Sequence, residues 1–231
     1  MLTLISHMFS AYLKNKSLSI VFLFIVSITT YADSSTQKRI VILSPNLVEI
    51  SHMIIEKSKT KDIIIVGIIH YPGEPSYAKN IDGIGTSSNI NVEKILLLKP
   101  NIVLASAGNN SLSLQQIKSF NVKVDIYNTQ SLAGIAKLIL QVGNSLHLET
   151  TSAIISNNYL LQLKSYRKKF HLDKKIKTFI QLSELPIFAV GGDGVINEII
   201  ELCGGKNIFW NIKKFAFQAG KSSVLNKDPE L

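Results

Sequence analysis

The chain of 231 residues carries a single cysteine, Cys203, so no internal disulfide can form and core packing alone must hold the fold. Charged residues make up only 18% of it, against 46% hydrophobic ones, which excludes an extended, disordered polyelectrolyte. Motifs of group-transfer chemistry are also missing. Gly83-Ile84-Gly85 and Gly191-Gly192-Asp193-Gly194 match neither the dinucleotide fingerprint nor a phosphate loop, and read as tight turns at strand ends. No serine sits in a nucleophile elbow and Cys203 has no neighbouring histidine, so the residues support no catalysis by an activated nucleophile, and no cofactor or bound metal is expected.

The net charge is +9. A basic chain points first to nucleic acid or an anionic membrane. Here the lysines are scattered, with small clusters at Lys168-Lys169 and Lys174-Lys175-Lys177, and no aromatic platform interleaves with them. They read as a solvated face, and no nucleic-acid partner is expected.

Residues 1–32 differ from the rest. Lys14 and Lys16 precede the apolar run Leu18–Ile28, and Thr30-Tyr31-Ala32 supplies small residues before Asp33. The run falls short of the roughly 20 apolar residues a bilayer core requires, so the segment reads as a cleaved secretory signal peptide, with Met8 an alternative start. The protein is then expected to be exported and, once the signal is removed, to be a monomer that does not span the membrane.

Beyond the tether Asp33–Lys38, periodicity alternates between strand and helix. RIVIL (39–43), IIIVGII (63–69), IVLA (102–105) and VKVDIY (122–127) read as strands, the first three as continuous apolar runs of the kind buried in parallel sheets. Helices are expected from Leu47 to Ser58, over Val92–Lys99 with Asn91 as N-cap and Pro100 as stop, and over Leu112–Phe120. Long helical stretches follow at Ser131–Leu146 and Glu149–His171, the latter with Leu148, Ile154, Ile155, Leu160, Leu161 and Leu163 as apolar positions. Short strands at 178–181 and 188–190 and a helix at 195–202 ending at Gly204-Gly205 complete the pattern.

The expected fold is therefore α/β: two α/β lobes with parallel-type sheets bridged by a long helix. The expected divisions are a signal peptide at 1–32, an N-terminal lobe at 33–128, bridging helices at 129–172 and a second lobe at 173–231. SVLNKDPEL (223–231) echoes the helix and Pro-containing turn of VEKILLLKPNIVLA (92–105), so the second lobe is expected to be cut short where its next strand should begin.

In open α/β sheets ligands gather beyond the strand carboxyl ends. Ser44 and Asn46 follow the first strand, His70 and Tyr71 the second, and Ser106 the third; Phe188 could face them from the second lobe. Tyr71 and Phe188 would offer flat apolar faces to a small organic ligand, or belong to ordinary core packing. Glu49, His52 and Glu56 share one helical face, so a metal carrier using His52 or His70 remains an alternative, set against an ordinary polar helix face.

RIVILSPNLVEI, VGIIHYPGEP, GIGTSSNINVEKILLLKPNIVLAS and ELCGGKNIF, in that order, resemble the periplasmic binding proteins of vitamin B12 and iron–siderophore ABC importers, with the cobalamin binders the nearest branch. The resemblance covers about residues 39–231. It implies a helix-bridged two-lobe fold, no catalysis, a ligand such as cobalamin, cobinamide, haem or a siderophore, and an inner-membrane ABC permease as partner. It further implies that Tyr71 and Phe188 contact ligand and that Glu93 docks on permease arginines. Ser87, Ser106 and Ala216 stand where the cobalamin binders have cleft tryptophans, and Ser222 stands where they have a second docking glutamate. A non-transporting remnant of such a protein is the other reading.

Overall fold

Side chains branched at Cβ suit a pleated surface, and they dictate the first sheet. β1 (Lys38–Ile42), β2 (Ile63–Ile68), β3 (Ile102–Ser106) and β4 (Lys123–Tyr127) pair in the order β2-β1-β3-β4, every pair parallel. These elements come from a computed structural model that describes residues 37–171 and 174–231; the segment 1–32 lies outside the described residues. Residues Gln37–Leu231 form one unit.

The helices of this region are α1 (Pro45–Ser58), α2 (Val92–Leu97), α3 (Ser111–Ser119), α4 (Leu132–Leu146) and α5 (Glu149–Lys169). They cover both faces of the sheet. Ile40, Ile42 and Leu104 pack against α1, α4 and α5 through Leu47, Ile54, Ile139 and Ile155. Val41, Val103 and Ala105 pack against α2 and α3 through Ile95, Leu114 and Ile117. Fully burying each large aliphatic side chain contributes about 1.5–3 kcal/mol. Both faces being covered is why these strands read as unbroken apolar runs.

Polar side chains set the helix starts. Asn91 accepts from the Lys94 N–H at 2.9 Å, as its position predicts, and Asn110 accepts from Leu112 and Ser113. Ser131 does the same for α4, accepting from Gly134 N–H at 2.9 Å.

The α4–α5 contact is built from small residues. Gly143 lies directly against Ser152, and Ser156 Oγ donates to the Ala136 carbonyl at 3.0 Å. Of the apolar positions expected to pack α5, Ile155 and Leu163 are buried and Leu148 is half-buried, whereas Ile154, Leu160 and Leu161 are exposed. The inward arc runs through Ser152, Ile155, Ser156, Tyr159 and Leu163, at steps of three and four. The other three fall outside it.

The second lobe is smaller and mixed. β5 (Ile176–Thr178) pairs with β8 (Gly205–Asn207) in parallel, as expected, but β6 (Gln181–Ser183), β7 (Phe188–Val190) and β9 (Ala216–Gln218) form an antiparallel ladder in the order β6-β7-β9. The strand expected at 178–181 is thus two strands. The four residues between β6 and β7 permit only a reversal, since a parallel crossover needs about a dozen residues. α6 (Val195–Leu202) and α7 (Lys221–Lys227) complete the lobe. Phe209 is its buried centre, edge-on to Phe179 and Phe217 at 6.2 and 5.0 Å. A polar contact ties it to the bridge: Glu198 of α6 accepts from the Leu132 N–H at the start of α4, at 2.7 Å.

The internal echo is structural. Asn101, after Pro100, donates its N–H to Arg39 C=O and accepts from Arg39 N–H through Oδ1. Glu230, after Pro229, does both to Lys177, through Oε1. Lys99 and Asp228, before the two prolines, have φ of 46° and 47°. Leu231 then bonds Lys177 and Phe179, and so sits beside Thr178 as Ile102 sits beside Ile40.

Adding a methyl at Gly143 has no room against Ser152, so Gly143→Ala should destabilise the fold by about 1–3 kcal/mol despite alanine's better helix propensity. Urea unfolding followed by circular dichroism measures this.

Candidate functional site

Parallel pairing brings the carboxyl ends of the four strands to one edge, and most residues singled out from the sequence lie there. Ser44 is the N-cap of α1, immediately after β1. Its hydroxyl does not cap the helix but donates to Asn46 Oδ1 at 2.7 Å, while its carbonyl accepts from Leu47 and Val48. Asn46 is exposed and Ser44 half-buried. Ser106 ends β3, half-buried, level with Tyr127 of β4.

Ser87 reaches the same edge by another route. Gly83 bridges Ile68 in parallel, so residues 83–85 run alongside the end of β2 and carry the chain beyond it. Thr86 and Asn89 exchange backbone hydrogen bonds, and Ser87 is exposed at the tip of that turn. Gly85 precedes the turn with φ of 107°, a conformation a side chain would strain.

Tyr71 follows β2 and is the most constrained of the set. Its hydroxyl donates to Glu49 Oε1 at 3.3 Å, from α1, and its N–H donates to Glu74 Oε2 at 3.3 Å. His70 Nδ1 meets the same Glu74 oxygen at 2.8 Å. Burial, followed by the Glu49 carboxylate, pushes the Tyr71 phenol up to about 12. Glu74 is held below the usual carboxylate range, chiefly by the hydrogen bond from His70. Glu49 thus holds the phenol and Glu74 the backbone of the same residue.

At this edge sequence reasoning missed one residue, Asn109, and the role of another, Glu49. Asn109 accepts from Ser106 N–H at 2.7 Å and donates through Nδ2 to Leu43 C=O at 2.9 Å, clasping the loops after β1 and β3. A lone Asn in a loop carries no pattern that announces a contact 66 residues away. Glu49 is legible in the sequence as one of a helical face with His52 and Glu56, a metal site or an ordinary polar face; its partnership with Tyr71 needs the fold.

Phe188 belongs to the other lobe. It opens β7, paired with Gln218 and Ser183, and is 39% exposed. Ala216 is half-buried in β9 opposite Val190. Glu93 stands exposed in the first turn of α2, where a carboxylate complements the helix dipole. Ser222 is exposed near the start of α7.

His52 and His70 do not come together. His52 stacks on Tyr77, ring centres 3.4 Å apart, with Glu56 at 3.8 Å, while His70 pairs with Glu74. Among the described residues no three His, Cys, Asp or Glu side chains converge as metal ligands would. The arrangement instead suits capture of a small molecule against an aromatic face with fixed hydrogen-bonding groups around it.

Tyr71, and Tyr127, which burial also pushes up to about 12, should ionise well after an ordinary tyrosine in a spectrophotometric titration. Because the unfolded chain releases these protons near pH 10.0 and the folded chain holds them to about 12, their stabilisation is complete below that window and lost as pH rises through it. Glu49→Gln should lower the Tyr71 value and leave Tyr127 in place. Asn109→Ala should cost about 1–3 kcal/mol in urea unfolding by leaving Ser106 N–H and Leu43 C=O unpaired.

The periplasmic binding protein family profile matches residues 40–231. A vitamin B12-binding protein of Vibrio campbellii is 27% identical over 208 residues, 90% of this chain and 74% of that protein. The structure of the periplasmic vitamin B12 binding protein BtuF of Vibrio cholerae superposes with a TM-score of 0.70 at 27% identity, covering 84% of this chain and 74% of that one. The periplasmic heme binding protein HutB of Vibrio cholerae shares the fold, with a TM-score of 0.71 at 20% identity over 83% of this chain and 73% of that one. No described helix is long and apolar enough to cross a membrane. With the parallel-sheet edge, the helical bridge and a profile match from β1 to Leu231, the chain belongs to the periplasmic binding protein family.

Proposed function

We propose that this chain is the ligand-capturing component of an ABC importer for cobalamin or a related metal–organic chelate, with corrinoids favoured over haem. The observation that carries this preference is the Tyr71–Glu49 pair at the carboxyl end of β2. A corrin ring carries amide side chains whose N–H groups can donate to the Glu49 carboxylate. Haem presents propionates there, which Glu49 and Glu74 would repel. Tyr71, Ser44, Asn46, Ser87 and Ser106 line the ligand side of the first lobe in this reading, and Phe188 meets the ligand from the second.

The serines at 87 and 106 offer hydroxyls and little stacking area, so binding rests more on hydrogen bonds than on aromatic burial. The protein works as an exported monomer in the periplasm, carried there by residues 1–32. It has neither catalytic activity nor a resident cofactor, and it binds no nucleic acid. Delivery to the inner-membrane permease uses Glu93, whose exposed carboxylate can meet an arginine and steer the encounter.

Titration with cyanocobalamin, cobinamide and haem, followed by intrinsic fluorescence and melting temperature, tests the reading. Corrinoids should bind about tenfold more tightly than haem, and Tyr71→Ala should weaken corrinoid binding by about tenfold. Glu49→Gln should narrow the gap by improving haem. Absence of any response to the corrinoids, or haem binding more tightly than both, would sink the proposal.

A further inference from the structure

Between Lys164 and Lys177 the sequence carries seven Lys or Arg residues and one acid, Asp173. The run spans the end of α5 and the entry to β5, and all seven cationic residues are exposed. Among the described residues Lys164, Arg167, Lys168, Lys174 and Lys175 enter no salt bridge. Lys177 meets Asp228 at 3.7 Å, and Lys169 lies over the Phe170 ring at 5.3 Å. A helix C-terminus favours cations in its last turn, which accounts for Arg167, Lys168 and Lys169. It does not account for Lys164 before that turn or for the lysines beyond it.

Apolar side chains adjoin the cations. Leu161 is 66% exposed, with Leu160 and Ile154 also open to solvent. At helical spacing Leu160, Leu161, Lys164, Arg167 and Lys168 fall within one arc of roughly 120°, away from the arc that buries Ile155 and Leu163. Leucines beside lysines and arginines on the outward side of a helix make an interfacial surface: the apolar groups enter the boundary of the acyl region while the cations meet lipid phosphates. Nucleic acid would call for a row of flat rings along the cations, whereas among the described residues of this run two rings, Tyr166 and Phe170, stand beside them, tilted against each other with centres 6.1 Å apart, and the apolar side chains that share the arc of Lys164 and Lys168 are leucines.

We propose that the outward face of α5 from Leu160 onward, together with Lys174 and Lys175, docks on an anionic phospholipid bilayer. This surface is separate from the residues assigned to ligand capture, and the proposal does not depend on what that ligand is. A bilayer-docked chain would search for its membrane partner in two dimensions.

Sedimentation of the full chain with vesicles tests it, using phosphatidylglycerol–phosphatidylcholine mixtures against phosphatidylcholine alone. The chain should bind the anionic vesicles about tenfold more tightly than neutral ones, and lose about tenfold between low and high salt. Lys164→Glu/Lys168→Glu/Lys175→Glu should lose about tenfold, and Leu161→Ser a few-fold, both with unchanged circular dichroism. Lys61→Glu/Lys79→Glu/Lys137→Glu carries the same change of net charge elsewhere and should stay within about threefold of the parent. Equal losses in the two triple variants would reduce the effect to net charge and overturn the proposal. So would equal binding to neutral vesicles, or binding to duplex DNA that matches the anionic vesicles in strength and in sensitivity to the same variants.

Discussion

Strand direction is the constraint on which the account depends. Because β2, β1, β3 and β4 all run the same way, each releases its chain at the same edge of the sheet, and each following loop is delivered to one place. Ser44, Tyr71 and Ser106 lie far apart in sequence, yet no special device is needed to assemble them, and Ser87 joins them through the parallel bridge of Gly83 to Ile68. What does need devices is their orientation. Asn109 clasps two of the loops, and Glu49 and Glu74 hold the tyrosine between them. An edge built this way presents fixed hydrogen-bonding groups around one aromatic ring, which is what a binding site needs and more than a core-packing role would require.

The second lobe reuses the same local grammar. A residue in the left-handed region, a proline and then a polar side chain bonding back to the first strand occur at Lys99-Pro100-Asn101 and again at Asp228-Pro229-Glu230. In both places the side-chain oxygen and the backbone N–H of one residue grip a single residue of the neighbouring strand. The register that results is also the same, Ile102 beside Ile40 and Leu231 beside Thr178. The two lobes differ in the rest of the second, where the short hairpin between β6 and β7 turns the remaining strands antiparallel.

Much of this was legible before the structure, and the reasons are physical. Strands buried on both faces leave unbroken apolar runs, so β1, β2 and β3 were readable to within a residue or two. Asn91 before Val92 and the Gly204-Gly205 pair after α6 were readable because helix ends impose chemistry on the residues beside them. The division of 176–183 into β5 and β6 was not, since three-residue strands are too short to show a period. Nor was the inward arc of α5, because it is lined by Ser152 and Ser156, and hydropathy points instead at leucines that face outward. The aromatic and polar candidates at strand ends could be named from topology. Their partners Glu49 and Asn109 could not, because their contacts cross 22 and 66 residues and leave no local trace.

A crystal structure of the chain with cyanocobalamin bound tests the central claim most directly. The account predicts the corrin ring against the Tyr71 face, an amide side chain donating to Glu49, and Phe188 in contact from the opposite lobe. Density for the ligand away from the carboxyl ends of β1, β2 and β3, or touching one lobe alone, would contradict it.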